Sequence, residues 1–335
     1  MGMRVLVTGA SGFLGSHVAE QAALNGFQVR ALVRATSNRQ FLETLPSIEF
    51  ALGAVEDVPS LERAVEGVDA VVHAAGIVKA RRLVDFDQVN VQGTRNIVAA
   101  AVRRASKLRR FVQVSSLAAV GPSPDGRPIV DGTEPKPVSR YGRSKLEGEY
   151  AVLSASDRMP VTVIRPPLIY GPRDKECLAF FTSIQRGVLP ILGDGRNTLS
   201  LITAPDCARA CIQALTADTP SGRNYLIDDG EIYVWREALA EIEKALGKRA
   251  WLRSGLPLPI VFLAAAGSQL WGSLTNTAQM LTLDKIKEFR QRHWVCSGAN
   301  ARRELGWSPT TRWPAGVAQT LTWYRAVGWL RGPRA

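Results

Sequence analysis

Tyr141 and Lys145 are the two residues whose types and spacing point most directly to chemistry. Side chains at positions i and i+4 lie one turn apart on the same face of a helix. A free tyrosine has a pKa of about 10 and exchanges protons poorly at neutral pH, but a neighbouring ammonium favours the phenolate. The pair is therefore predicted to act as a general acid and base, with the Lys145 ammonium lowering the pKa of Tyr141.

A pair of serines forms the second candidate group. Ser115 and Ser116 follow the apolar run Arg110–Val114, which predicts a buried strand. Ligands of α/β proteins bind beyond the carboxyl ends of parallel strands, so this is a position from which a hydroxyl can reach a ligand. Taken alone, the two serines are more typical of a loop that caps a helix.

A glycine-rich turn near the start of the chain predicts a phosphate-binding site. The apolar run 4–7 is followed by Gly9, Gly12 and Gly15, and apolar residues then recur at helical spacing. Gly9 permits a tight turn, Gly12 lets the backbone approach a pyrophosphate, and Gly15 lets the helix pack closely on the strand. The helix N-terminus then faces the phosphates. The alternative is an ordinary glycine-rich loop, but the strand–turn–helix context favours a dinucleotide.

Short apolar runs alternate with helical patterns along the chain. The predicted strands cover residues 28–33, 48–52, 69–73, 110–114 and 161–165, and helical patterns cover residues 61–65, 87–104 and 144–153. Continuous apolar strands indicate a parallel sheet covered on both faces. Right-handed crossovers then give an α/β fold with a doubly wound Rossmann sheet.

The pattern changes after Pro166 and Pro167, where proline, glycine and charge become more frequent. We predict a Rossmann domain over residues 1–168, to which residues 200–228 return with a helix and a strand. Residues 169–199 and 229–335 are predicted to form a smaller, discontinuous C-terminal α/β lobe that binds the substrate.

Composition bounds the remaining possibilities. The chain has 335 residues, is 46% hydrophobic and carries a net charge of +12. Its basic residues form short scattered clusters without a nucleic-acid motif, so no nucleic-acid partner is expected. The four cysteines show no C-x-x-C pair and the chain has only three histidines, so we predict buried thiols and no metal site. Free thiols and the absence of a signal peptide before the first strand favour a cytoplasmic location.

The apolar stretch from Leu256 to Leu274 is a separate question. It is barely long enough to span a bilayer, and it contains two prolines, a glutamine and two glycines. A buried or pocket-lining helix is favoured. A peripheral membrane contact is the next alternative, and a transmembrane span is the least favoured.

Taken together and in order, these motifs resemble the extended branch of the short-chain dehydrogenase/reductase superfamily. Besides the glycine turn, the serine pair and Tyr141/Lys145, the matching stretches span nearly the whole chain. They are His73-Ala74-Ala75-Gly76, Asn90 with Gly93-Thr94, Arg165-Pro166-Pro167-Leu168-Ile169-Tyr170-Gly171-Pro172, and Leu305-Gly306-Trp307-Ser308-Pro309.

The resemblance implies a role for each matching residue. Tyr141 would be the general acid/base, Lys145 would hold the nicotinamide ribose and tune Tyr141, and Ser116 would bond the reacting oxygen, with Ser115 as the alternative. Hydride would pass between the nicotinamide and the substrate carbon. The implied dinucleotide-binding residues are Gly9, Ser11, Gly12, Phe13, Leu14, Gly15, Arg34, Asp57, Ala74, Ala75, Gly76, Asn90, Lys145 and Pro167.

The choice between NADP and NAD depends on the end of the second predicted strand. NAD enzymes place an acidic residue there to bind the ribose 2′-hydroxyl, whereas this chain has Arg34 and no acidic residue before Glu43. Because a guanidinium binds a 2′-phosphate bidentately, NADP is favoured and NAD is the alternative. Relatives often carry Gly-Asp after the third strand. Here Gly53 is followed by Ala54, so Asp57 is the candidate for the adenine contact.

The subgroups that the chain resembles most are the dihydroflavonol-reductase-like and 3β-hydroxysteroid-dehydrogenase-like enzymes. They imply an oxidoreductase that interconverts a carbonyl and an alcohol on a fairly hydrophobic small molecule. A nucleotide-sugar epimerase or dehydratase is the alternative, although Val120 stands where those enzymes usually carry tyrosine. A non-catalytic dinucleotide sensor is a further alternative. The resemblance also implies a homodimer formed through the helices at 87–104 and 141–153.

Overall fold

The computed structural model describes residues 2–104, 107–191, 194–253 and 283–331. Its strands are β1 Arg4–Thr8, β2 Gln28–Val33, β3 Ile48–Leu52, β4 Ala70–His73, β5 Arg110–Val114, β6 Val161–Arg165, β7 Leu168–Tyr170, β8 Thr198–Leu199, β9 Leu201–Thr203, β10 Arg223–Leu226, β11 Tyr233–Val234 and β12 His293–Trp294. Its helices are α1 Phe13–Leu24, α2 Val58–Val65, α3 Leu83–Phe86, α4 Gly93–Arg104, α5 Leu117–Val120, α6 Arg140–Leu153, α7 Lys175–Gln185, α8 Ala204–Thr216, α9 Trp235–Leu246, α10 Leu283–Phe289, α11 Ala299–Leu305 and α12 Trp313–Ala326.

Seven of the described strands form one parallel sheet in the order β10-β6-β5-β4-β1-β2-β3. Successive strands run outward in one direction from β1 to β3 and in the other from β4 to β10. The strand order therefore reverses between β1 and β4, and ligands of doubly wound folds bind at the carboxyl edge of such a switch point. The predicted Rossmann sheet is confirmed.

Helices cover both faces of this sheet, as the continuous apolar strands predict. One core packs α1 and α8 against the strands, with Val18 and Cys207 among its fully buried side chains. The other packs α2, α4 and α6, with Leu61, Ile97 and Val152 fully buried. The four cysteines are free and buried, as predicted.

Residues from Tyr170 onward build a second core. Strand β8 pairs with β11 and β12 in a small sheet, and β7 pairs with β9. Helices α7, α9 and α12 pack together around Phe181, Leu239 and Val317. We call the part of the chain formed by α7, α9, α10, α12 and this small sheet the C-terminal lobe.

The predicted boundaries differ from the structure mainly in two helices. The helix predicted over residues 87–104 begins with a π-helical segment, Asp87–Gln92, and becomes α-helical only at Gly93. The helix predicted from Ser144 begins earlier, at Arg140, because the side chain of Ser139 accepts the N–H of Gly142 and caps it.

No helix within the described ranges is long and apolar enough to cross a membrane. The stretch from Leu256 to Leu274, for which a membrane contact was weighed, lies outside the described residues.

Candidate active site

The side chains of Ser116 and Tyr141 meet at the carboxyl edge of the main sheet. Ser116 lies two residues beyond Val114, the last residue of β5, and its Oγ accepts the N–H of Ala118 at 3.1 Å. Tyr141 is the second residue of α6, and its half-buried side chain forms a hydrogen bond with Ser116. The ring of Phe86 lies 6.0 Å from the Tyr141 ring, centroid to centroid. Two hydroxyls are thus positioned side by side to bond one oxygen of a ligand.

The hydroxyl of Ser115 points into the protein instead. It donates to the carboxylate of Glu149, which also accepts two hydrogen bonds from Arg165, at 3.0 and 2.6 Å. The sequence left both serines open as partners of Tyr141, and the structure places Ser116 beside it.

Lys145 lies one turn after Tyr141 and is almost fully buried. Its Nζ donates to the carbonyl oxygen of Val114 at 2.7 Å. Burial lowers the pKa of Lys145 to about 8, while the negative charge of Glu149 acts in the opposite direction. A Cβ placed on Gly76 would lie 3.6 Å from the Nζ atom, so the ammonium faces the loop that follows β4.

Burial raises the pKa of Tyr141 to about 12. The hydrogen bond with Ser116 lowers this pKa, and the charge of Glu288 raises it further. In the chain by itself the pKa of Tyr141 is therefore raised, because desolvation of the phenolate dominates. The lowering of this pKa by Lys145 together with a cationic nicotinamide stays a prediction.

Two glycines let α6 approach its neighbours closely. A Cβ on Gly142 would lie 2.3 Å from the carbonyl oxygen of Ala118 in α5. A Cβ on Gly148 would lie 2.9 Å from the carbonyl oxygen of Asn90 in the π-helical segment. These close approaches hold α6 against α5 and the π-helical segment, and α5 follows directly on Ser116.

The glycine-rich turn after β1 has the geometry that the sequence predicts. Gly9 has a φ of +69°, and a Cβ on it would lie 2.8 Å from the Cα of Ala75. A Cβ on Gly15 would lie 2.1 Å from the carbonyl oxygen of Gly9. Side chains at these two positions would separate β1, α1 and the loop after β4, so all three meet only because glycine stands there.

The N-terminus of α1 fits the pyrophosphate of a dinucleotide. The N–H groups of Phe13, Leu14 and Gly15 lie in the first turn, where no intrahelical acceptor exists. The N-cap residue, Gly12, is exposed and offers no side-chain acceptor to them. Ser11 lies in the same turn and is partly exposed. Free donors, the helix dipole and the missing side chain together suit an anion.

Ala74, Ala75 and Gly76 form the loop on the other side of the switch point. The N–H of Ala75 donates to the hydroxyl of Thr8, the last residue of β1, at 3.3 Å. This contact fixes the loop against the glycine-rich turn, so the residues predicted to bind the dinucleotide from β1 and β4 lie together.

Asn90 orients this loop from the π-helical segment. Its Oδ1 accepts the N–H of Ile77 at 2.8 Å, and its Nδ2 donates to the Ile77 carbonyl at 3.0 Å and to the hydroxyl of Ser144 at 2.9 Å. The residue predicted as a dinucleotide ligand therefore connects the β4 loop to α6, which carries Tyr141 and Lys145. A π-helical turn at such a position is typical of functional sites.

Arg34 and Asp57 lie at the carboxyl ends of β2 and β3. Arg34 is mostly exposed, and its Nη2 lies 3.3 Å from the carboxylate of Glu56. Asp57 caps α2, with its Oδ1 accepting the N–H of Ser60 at 3.3 Å. The acidic side chain of Glu56 beside Arg34 was missed in the sequence, because the two residues belong to different strand ends.

Pro167 lies between β6 and β7, at the same edge of the sheet. The carbonyl oxygen of the preceding Pro166 accepts the N–H of Leu117 at 2.7 Å. This hydrogen bond joins the end of β6 to the start of α5, next to Ser116.

Glu149 and Arg165 lie next to the candidate site, although no sequence motif indicates them. Their side chains form an ion pair that is completely buried beneath Ser115, with Glu149 one turn beyond Lys145 on α6. The spacing of Tyr141, Lys145 and Glu149 was a usable signal, because three titratable residues at successive i+4 positions share one helix face. The partner on β6 could not be read from spacing.

A sequence model of the NAD-dependent epimerase/dehydratase family matches residues 5–228, more than half of the chain. The chain belongs to that family. It is accordingly an extended short-chain dehydrogenase/reductase and an NAD(P)-dependent enzyme, an oxidoreductase that acts on a small molecule. Within the described residues, no group of His, Cys, Asp and Glu is arranged to hold a metal ion.

Similar family members act on different chemical classes. A ceramide reductase of Caulobacter vibrioides is 35% identical over 97% of this chain and 96% of its own length. A ketoreductase of Stigmatella aurantiaca, acting on a farnesylated dihydroquinoline oxide, is 30% identical over 91% of this chain and 92% of its own length. A dTDP-glucose 4,6-dehydratase of Streptomyces venezuelae, solved with NAD and TYD bound, is 27% identical, with a TM-score of 0.81 over 98% of this chain and 99% of its own.

Proposed function

We propose that this protein is an NADP(H)-dependent reductase that converts a ketone or aldehyde on a fairly hydrophobic small molecule into an alcohol. The observation that carries the proposal is the contact of the Ser116 and Tyr141 side chains beside the buried ammonium of Lys145. Relatives that reduce a ceramide and a farnesylated ketone support the apolar substrate class.

The three side chains divide the work on the carbonyl. Ser116 and Tyr141 donate hydrogen bonds to the carbonyl oxygen, which polarises it. Tyr141 then gives its proton to that oxygen as negative charge develops there. Lys145 would hold a ribose hydroxyl of the dinucleotide and supplies positive charge one turn from Tyr141. The hydride would come from the nicotinamide of that dinucleotide.

Arg34 supports NADP as the dinucleotide. An exposed pair with Glu56 contributes little free energy, so the guanidinium is available to a 2′-phosphate. Glu56 itself could accept a hydrogen bond from a 2′-hydroxyl, which is the basis of the NAD alternative. Arg34 thus favours NADP, whereas the neighbouring Glu56 favours NAD.

The cofactor proposal is tested by titrating the wild type, Arg34→Asp and Glu56→Gln with NADPH and with NADH. We expect the wild type to bind NADPH more tightly, and Arg34→Asp to weaken NADPH about tenfold or more, because a charge-assisted bidentate contact is lost. Glu56→Gln is the matched control at the same pair and should keep or strengthen NADPH binding. Equal affinities for NADH and NADPH in all three proteins would overturn the proposal.

A nucleotide-sugar epimerase or dehydratase is the second candidate function, favoured by the structural similarity to the dTDP-glucose dehydratase. An enzyme of that type regenerates its cofactor in each cycle, whereas a reductase consumes NADPH. Turnover is therefore assayed with linear aliphatic ketones of increasing chain length and with dTDP-glucose. Consumption of dTDP-glucose without net oxidation of the cofactor would replace the reductase proposal with this one.

We also propose that the chain forms a homodimer through α4 and α6. Tyr150 on the outer side of α6 is 57% exposed, and Val102 on α4 is partly exposed. Light scattering in solution is expected to give the mass of two chains, and the mass of one chain would contradict the proposal.

A further inference from the structure

Helix α10 of the C-terminal lobe reaches the N-terminus of the catalytic helix. Glu288 on α10 accepts a hydrogen bond from the hydroxyl of Ser139 at 2.5 Å, and Asp284 accepts the backbone N–H of Arg140 at 2.8 Å. Both carboxylates thus lie at the positive end of the α6 dipole, where negative charge is stabilising.

Ser139 is the residue through which this contact acts on α6. Its Oγ accepts the N–H of Gly142 at 3.0 Å as the N-cap, so its single proton is free to go to Glu288. The carboxylate therefore orients the hydroxyl that begins the helix. Tyr141 lies in the turn that this cap closes, two residues after Ser139.

Lys285 completes the contact from the same helix. Its Nζ lies 5.7 Å above the centre of the Tyr141 ring and 2.5 Å from Glu288 Oε2. The Nε1 of Trp294 donates to the Glu288 backbone carbonyl at 3.0 Å. Because Trp294 is part of β12, Glu288 is fixed by the small sheet of the C-terminal lobe while it bonds the Rossmann domain.

A carboxylate in this position is costly for the fold. Glu288 and Ser139 are both buried. The free energy lost when a charge is desolvated is rarely recovered from its ion pair. The contact joins residues that are 149 positions apart. An apolar pair would join two lobes at lower cost, so its location at the cap of the catalytic helix calls for a role in catalysis.

We propose that Glu288 is a positioning residue for the reaction: by bonding Ser139 it fixes the first turn of α6, and with it the Tyr141 hydroxyl beside Ser116. Docking of the C-terminal lobe and completion of the proton-donating site are then one event. This inference rests on the role proposed for Tyr141 above.

The test compares Glu288→Ala and Glu288→Gln with the wild type, using Arg290→Ala, at an exposed residue directly after α10, as a control. With the best aliphatic ketone as substrate, Glu288→Ala is expected to lower kcat about tenfold, because the hydrogen bond that the Ser139 hydroxyl donates to a charged acceptor is lost. Affinity for NADPH should change less than about twofold, since Glu288 lies on none of the elements that hold the dinucleotide. Glu288→Gln keeps an acceptor for Ser139 and should restore most of kcat.

Hydrogen exchange measured by mass spectrometry gives a second readout that needs no turnover. In Glu288→Ala the amides of the first turn of α6 should lose protection, whereas Glu288→Gln and Arg290→Ala should match the wild type. Wild-type exchange and wild-type kcat in Glu288→Ala would overturn the inference. Equal losses of kcat in the Ala and Gln variants would also contradict it, because the hydrogen bond between Ser139 and residue 288 would then not explain the effect on kcat.

Different results would contradict the role proposed for Tyr141 and the positioning role proposed for Glu288. If Tyr141→Phe turns over ketones as the wild type does, the proposed role of Tyr141 is wrong. If Tyr141→Phe is inactive while binding NADPH normally, and Glu288→Ala behaves as the wild type, only the positioning role is wrong. If no ketone is turned over by the wild type, the exchange experiment alone decides whether Glu288 fixes the catalytic helix.

Discussion

Tyr141 lies in a site that keeps its hydroxyl protonated in the absence of a dinucleotide. Burial holds its pKa well above that of free tyrosine, and the charge of Glu288 acts in the same direction. A neutral phenol can donate a hydrogen bond, and then its proton, to a carbonyl oxygen.

His73 illustrates a buried titratable group with a structural role. Its ring bonds the hydroxyls of Thr8 and Thr94, at 2.7 and 2.9 Å, and so joins β1, β4 and α4. Desolvation lowers its pKa to about 3, with the charge of Lys145 adding to the effect. The imidazole is therefore neutral in the folded protein and does not exchange protons near neutral pH.

Acidification is expected to destabilise the fold through His73. An unfolded histidine binds a proton below about pH 6.5, while folded His73 does not, so stability is lost as the pH falls from that value toward the folded pKa. By pH 5 the loss is about 2 kcal/mol of unfolding free energy. Urea unfolding of the wild type and His73→Gln at pH 7 and pH 5 measures it. If the difference in unfolding free energy between the wild type and His73→Gln is the same at pH 7 and pH 5, His73 does not cause the loss of stability.

Substitutions at two glycines of the glycine-rich turn distinguish an effect on the stability of the fold from an effect on NADPH binding. Gly15→Ala places a methyl group 2.1 Å from the Gly9 carbonyl oxygen, and α1 must move away from β1. We expect a loss of stability on the order of 1–3 kcal/mol. In Gly12→Ala the nearest atom lies at 3.1 Å and the site is exposed. That change should cost much less stability but obstruct the phosphates.

Thermal unfolding and NADPH titration of both variants distinguish these effects. Gly15→Ala should unfold at a lower temperature than Gly12→Ala, and Gly12→Ala should lose more NADPH affinity than stability. If Gly12→Ala binds NADPH as tightly as the wild type does, the pyrophosphate does not bind at this turn.

The elements themselves were largely predictable, because apolar runs that must be buried on both faces define strands without tertiary information. The predicted bounds of β2, β3, β5 and β6 coincide with the structure. The apolar pattern of α6 begins only at residue 144, because the first turn of the helix is polar and its cap depends on a side chain. The π-helical turn before Gly93 has no periodicity of its own, so the sequence shows only a continuous helix.

The parts of the candidate site that are formed by residues close together in sequence were predictable. Examples are the glycine turn and the i+4 pair of Tyr141 and Lys145. The site was not predictable where partners come from distant segments. Glu288 bonds the cap of α6 from the other end of the chain. The orientation of Ser115 likewise depends on Glu149, which belongs to a helix rather than to the serine loop.

For the whole molecule, α10 of the C-terminal lobe contacts the start of α6, the helix that carries Tyr141 and Lys145. The function proposed for this arrangement is the transfer of hydride from a dissociable NADPH to a ketone. The most direct measurement uses NADPH deuterated at the transferable position and an aliphatic ketone, with mass analysis of the alcohol formed. We expect deuterium in the alcohol with one NADPH oxidised per product. Chemical conversion of dTDP-glucose with no net oxidation of the cofactor, and no deuterium in any alcohol, would contradict it.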